Sequence, residues 1–152
     1  MQTLLVQSCS ATKNEVSEPV PALELYDGYF FKIIKKAIRE GVFRPDIDMR
    51  ILSAKYGIVD PDEPIEYYDQ RMTADRAEEL RPTVTETLCR IVSENDYERV
   101  VVNTGEVYSR ALDEFQQQSD ISVETIDGDG IGTKGKLLKK YVRGETEIGV
   151  TG

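Results

Sequence analysis

Thr3-Leu4-Leu5-Val6-Gln7, running into Ser8-Cys9-Ser10-Ala11-Thr12-Lys13, decides how this chain reads. The first stretch is apolar through its centre with no polar alternation, the pattern of a strand covered on both faces of a parallel sheet. The second carries three hydroxyls, one thiol and one ammonium, so the strand empties into a polar loop. Ligands of open parallel sheets bind outside the carboxyl ends of the strands, which makes this loop the first candidate site.

Working outward, residues 14–21 continue the loop with Pro19 and Pro21 as breakers, and an amphipathic helix is predicted over 29–40, closed by Gly41. A second strand spans 48–52 and gives way to Ser53-Ala54-Lys55-Tyr56-Gly57. The turn-rich stretch 60–64 and Tyr67-Tyr68-Asp69-Gln70-Arg71-Met72 form a loop long enough to carry function. Thr73 caps a helix over 74–94 that Pro82 interrupts or bends. Val100-Val101-Val102 marks a third strand over 99–103, joined by Thr104-Gly105 to a helix over 106–117. A fourth strand over 122–126 leads through Asp127-Gly128-Asp129-Gly130-Ile131-Gly132 to a short basic helix over 134–141.

Strands and helices thus alternate, and the right-handed crossover rule turns that order into an α/β fold. The expected architecture is a three-layer α/β/α sandwich on a four-stranded parallel sheet of order 2-1-3-4. Its switch point falls between the first and third strands. Residues 1–143 read as one domain and 144–152 as a flexible tail. At 152 residues, 39% hydrophobic and 31% charged, the chain suits one soluble domain. It has no run long enough to span a bilayer, and its first residues read as a strand rather than a signal peptide, so no membrane partner and a cytoplasmic location are expected. Oligomeric state is not legible.

Histidine is absent, which excludes His-based triads and His-ligated metals. Cys9 and Cys89 match no metal or disulfide spacing, so neither a metal nor a cofactor is expected. The net charge of −9 opposes nonspecific binding to phosphate backbones, and any such contact needs a local basic patch.

The candidate ligand-binding residues lie at the strand exits. Ser8, Cys9, Ser10 and Lys13 can cradle and neutralise an anion, although an ordinary surface loop has the same composition. Cys9 reads as a small buried hydrophobe ahead of a nucleophile, since no histidine pairs with it. Ser53, Lys55, Tyr56 and Gly57 follow the second strand, so Lys13 and Lys55 are expected to converge on one sheet edge, with Tyr56 free to stack on a planar group. Tyr68 and Asp69 stand beside that edge, and Asp69 is a candidate general base or water-positioning carboxylate. Asn103 can bond a base or ribose edge, while Thr104 and Gly105 open the next helix. Gly130, Gly132 and Lys134 belong to a segment that formally fits G-x-G-x-x-G, although it ends the chain instead of opening it. Lys136, Lys139, Lys140 and Arg143 then make the most basic stretch of an acidic protein, either a phosphate or nucleic-acid surface or a solvated terminal helix.

Taken together, Cys9-Ser10 with Lys13, Leu25-Tyr26, Leu52-Ser53-Ala54-Lys55-Tyr56-Gly57, residues 64–69 and residues 130–135 resemble a family of small uncharacterised archaeal, bacterial and phage proteins. That family is similar to the uracil-DNA-glycosylase-like domain of archaeal tRNA-guanine transglycosylase and archaeosine synthase proteins. The resemblance implies an α/β sandwich with the sheet order given above. It also implies action on a nucleobase, nucleotide or nucleic acid, by N-glycosidic or related chemistry. The alternative is a noncatalytic nucleic-acid-binding or accessory module.

Overall fold

The computed structural model describes residues 2–146. In chain order its elements are β1 (Thr3–Ser8), β2 (Val20–Pro21), α1 (Ala22–Leu25), α2 (Tyr29–Arg39), β3 (Ile47–Ser53), β4 (Gly57–Val59), β5 (Pro64–Ile65), α3 (Ala74–Glu94), β6 (Arg99–Asn103), α4 (Glu106–Gln118), β7 (Ser122–Thr125) and α5 (Ile131–Val142). The fold is α/β, built on a five-stranded, mostly parallel sheet of order β4-β3-β1-β6-β7. Strand β1 occupies the centre. Leu4, Leu5 and Val6 are fully buried because alternate side chains enter both flanking layers.

Helix α2 packs with α5, and α3 with α4, so the crossovers place one helix pair on each face. Phe31, Ile34, Leu138 and Tyr141 are buried residues of the first pair, and Val84, Leu88, Leu112 and Phe115 of the second.

The sheet differs from four all-parallel strands at one edge. Ser53 Oγ accepts the backbone N–H groups of Lys55 and Tyr56, at 3.2 and 3.1 Å, and this side-chain turn reverses the chain. Gly57, at φ +77°, then starts β4 back along β3 in antiparallel pairing. A second small sheet, β2 with β5, ties the long first loop to the 60–65 segment.

Helix α3 runs unbroken through Pro82, so the interruption that the sequence allowed there is absent. Leu80, Val84, Leu88 and Ile91 bury one continuous face, and that packing offsets the single hydrogen bond proline cannot make. Helix α5 begins three residues before the expected 134, at the residue after Gly130. Gly144, at φ +77°, donates its N–H to the Tyr141 carbonyl and caps that helix. The rest of the expected tail, 147–152, lies outside the described residues. Among the described residues no helix is long and apolar enough to cross a membrane.

Candidate functional site

Parallel register sets the base of the site. Gln7 of β1 lies beside Asn103 of β6 at the point where the sheet order reverses. Asn103 Nδ2 donates to Gln7 Oε1 at 2.9 Å, and both side chains are buried. Asn103 therefore faces its neighbouring strand rather than an open ligand site. Its Oδ1 has no hydrogen-bond partner.

Above this pair the loop after β1 folds back onto the segment before α2. Asp27 N–H donates to Thr12 O, Asn14 N–H to Leu25 O, and Ser10 Oγ donates to Thr12 O while accepting from Gly28 N–H. Glycine is required at 28, since a Cβ there would stand 2.5 Å from Ser10 Cβ. The loop is consequently held at both ends, with Cys9 buried at its root.

Two cavities flank it, and Cys9, Ser10 and Ala11 line both. The first, about 110 Å³, is polar and adds Lys13, Asp69, Gln70, Arg71 and Tyr108. The second, about 270 Å³, is largely apolar and adds Tyr29, Phe30, Phe31 and Ile131. Tyr29 and Ile131 are among the large apolar side chains most exposed on the protein. Helices α2, α4 and α5 all start here on glycine N-caps, Gly28, Gly105 and Gly130, whose missing side chains leave the first-turn N–H groups uncapped.

Behind the polar cavity lies a chain of hydroxyls. Tyr68 is buried, 2.6 Å from the Tyr26 hydroxyl and 3.0 Å from Ser53 Oγ. Ser53 already accepts two backbone N–H groups, so its own proton goes to Tyr68, and the Tyr68 proton goes to Tyr26. Lys13 Nζ sits 4.6 Å above the centre of the Tyr68 ring, and Tyr56 meets that ring edge-on. Cys9 Sγ and the Tyr108 hydroxyl share a hydrogen bond of 3.2 Å.

Burial pushes the phenols of Tyr26, Tyr68 and Tyr108 well above the ordinary tyrosine range, and the nearby Cys9 adds to the effect on each. They act here as neutral hydrogen-bonding groups, not as bases. Because the folded values are raised, the stability linked to these protons is complete below the unfolded value of about 10 and is lost as pH rises beyond it. In an alkaline ultraviolet titration these three tyrosines are expected to stay protonated at about pH 11 and to ionise only with unfolding. Ionisation of all eight tyrosines before any loss of circular dichroism would contradict this placement.

The structure sorts the remaining sequence candidates. Lys55 does not line the polar cavity with Lys13; its Nζ lies 5.2 Å over the Tyr56 ring, while Lys13 sits over Tyr68. Arg76, unremarked in the sequence, holds this exit by donating to the carbonyls of Ala54 and Lys55. Ser8 Oγ donates to the Asn103 carbonyl at 3.4 Å, and Lys134 Nζ to that of buried Thr104 at the same distance. Gly130 and Gly132 form the exposed start of α5, where φ of +117° accounts for Gly130. Gln70, Arg71 and Tyr108 of the polar cavity were not among the candidate residues, nor were Tyr29, Phe30, Phe31 and Ile131 of the apolar one. Gln70 and Arg71 were signalled only by their adjacency to Asp69.

Residues 4–140 match the model of a family of unknown function, DUF6884. The chain belongs to this family. Among solved structures this DUF6884 protein is similar to AF0587, a protein of unknown function, at 14% identity and a TM-score of 0.54. The match covers 92% of this chain and 44% of that one, so the chain spans less than half the length of its structural neighbour. At such identity the likeness is one of fold. No curated protein matches the chain.

Proposed function

We propose that this DUF6884 protein binds a phosphorylated nucleoside, free or within a nucleic acid, at the carboxyl edge of its sheet. The observation that carries the reading is the pair of cavities sharing the Cys9-Ser10-Ala11 wall, one polar with Lys13 and Arg71, the other apolar with Tyr29, Phe30 and Ile131. A nucleotide has the same division, a charged phosphate joined to a planar apolar face. Lys13 and Arg71 supply charge-assisted contacts to the phosphate, and the uncapped N–H groups of α2 suit acceptor atoms on a base edge. The resemblance to uracil-DNA-glycosylase-like sandwiches supports the same ligand class. On this reading Asp69, the carboxylate of the polar cavity, is the group that positions water at the glycosidic bond, and Asn103 acts behind it as a positioning residue for Gln7.

Titration of nucleoside monophosphates, with the unphosphorylated nucleosides as controls, is expected to shift the backbone amide resonances of residues 9–13 and 28–31, the phosphorylated series at lower concentration. Unshifted spectra across the common bases would remove the proposal.

A further inference from the structure

Helices α2 and α5 both begin at the ligand edge of the sheet and run away from it side by side, leaving a groove of about 470 Å³ between them. Its walls carry Lys32 and Lys36 from α2, and Lys136, Lys139 and Arg143 from the region of α5. Five cations on one groove stand out in a protein whose net charge is −9. The facing acidic groups neutralise only part of them. Glu40 pairs with Lys36 at 4.0 Å and Arg143 at 3.1 Å at the far end, and Asp27 reaches Lys32 at 3.9 Å. Lys136 and Lys139 are exposed and have no ion-pair or hydrogen-bond partner among the described residues.

The near end of the groove opens onto the proposed nucleotide site. Tyr29 lines both the groove and the apolar cavity. It can do so because residue 135 is glycine: a Cβ there would collide with the Tyr29 ring, which lies across the α5 backbone. The half-exposed tyrosine thus forms an aromatic step between a cationic channel and a cavity sized for a base. Lysines follow one another at i and i+4 on α2 and at i and i+3 on α5, rises of about 6 and 4.5 Å along the helix axes. Two such rows can hold a phosphodiester backbone along its length, and an aromatic platform beside a basic channel is how proteins hold single strands. An acidic peptide would use the lysines but gain nothing from the aromatic step.

We infer that the α2–α5 groove binds the backbone of a single-stranded nucleic acid and delivers one of its nucleotides, past Tyr29, to the strand-end site. The inference rests on the nucleotide reading of that site and names its substrate as a polynucleotide. Binding of labelled oligothymidylate and oligouridylate to the full chain, followed by fluorescence anisotropy across a salt series, tests it. The variant is the triple substitution K32A/K136A/K139A, with circular dichroism and thermal unfolding to show that it folds, and thymidine and uridine monophosphates as small ligands. One or both oligomers should bind more tightly than the monophosphates, and the stronger of the two identifies DNA or RNA. The triple variant should lose roughly tenfold or more in oligomer affinity, and its log–log salt slope should flatten by about 2, from three lost contacts at about 0.7 each. Monophosphate binding should be unchanged.

Oligomer affinity and salt slope unaltered by the triple substitution would overturn the groove assignment. So would an oligoglutamate peptide binding the wild type as tightly as either oligomer, a result that points to an acidic protein partner. Monophosphates bound normally with oligomers no tighter would overturn the groove alone. Groove-dependent oligomer binding without any monophosphate binding would overturn the strand-end site instead.

Discussion

Replacing Tyr68 with alanine is expected to destabilise the protein by about 3–5 kcal/mol, the range for emptying a buried aromatic site. Tyr68 is 5% exposed, meets the rings of Tyr26 and Tyr56 edge-on, and carries Lys13 on its face. Its loss would leave a cavity between the two strand exits, strand the Tyr26 and Ser53 hydroxyls, and release Lys13, one of the two cations of the polar cavity. Tyr68→Phe separates these effects. The ring and its support of Lys13 remain, while two hydrogen bonds disappear, at a cost of about 1–3 kcal/mol. Chemical denaturation of both variants reads the difference. Equal losses would mean that the hydroxyl chain, rather than the ring packing, holds this part of the fold.

The second large effect concerns binding. In Lys13→Ala and Arg71→Ala, affinity for a nucleoside monophosphate is expected to fall by about 10- to 100-fold each, from the 1.5–3 kcal/mol of a hydrogen bond to a charged group. The unphosphorylated nucleoside should bind as before, because neither residue lines the apolar cavity. The double variant should lose less than the product of the two, since both cations face one 110 Å³ space and their effects are coupled. Asp69→Asn should act in the opposite direction, because its carboxylate shares that space and repels an anion. Calorimetric titration of the variants checks all of this. Parallel losses for nucleoside and nucleotide would show that the cations support the loop instead of contacting phosphate.

The elements were legible to different degrees for physical reasons. Leu4-Leu5-Val6 and Val100-Val101-Val102 announce buried strands because a strand covered on both faces has no solvent side on which to place a polar residue. The long helices show through the recurrence of apolar residues on one face. By contrast β4 is three residues long, and only the Ser53 side-chain turn, visible once hydrogen bonds are known, directs it back along β3. Helix α5 starts earlier than its glycines suggest: Gly130, at φ +117°, stays outside as the N-cap, but Gly132, a loop former by propensity, lies within a helix held by its packing on α2.

Within the candidate site, Ser8, Cys9, Ser10, Lys13 and Asp69 could be listed from their places after strands, but residue type does not tell which way a side chain turns. Asn103 looks like a ligand group, but its amide nitrogen is engaged by Gln7, because parallel register sets the two amides side by side. Tyr68, a candidate ligand contact by its place beside the sheet edge, is buried and lines neither cavity. Lys13 and Lys55 look convergent, yet each sits over a different tyrosine ring and only Lys13 lines the polar cavity. By itself, then, the sequence determined which segments are strands buried on both faces, that polar loops follow them, and that no histidine is available for chemistry. Only the tertiary structure decided which of those polar groups meet, because hydrogen-bond partners and cavities arise between residues as far apart as Cys9 and Tyr108, brought together by sheet register and helix packing that no local pattern encodes.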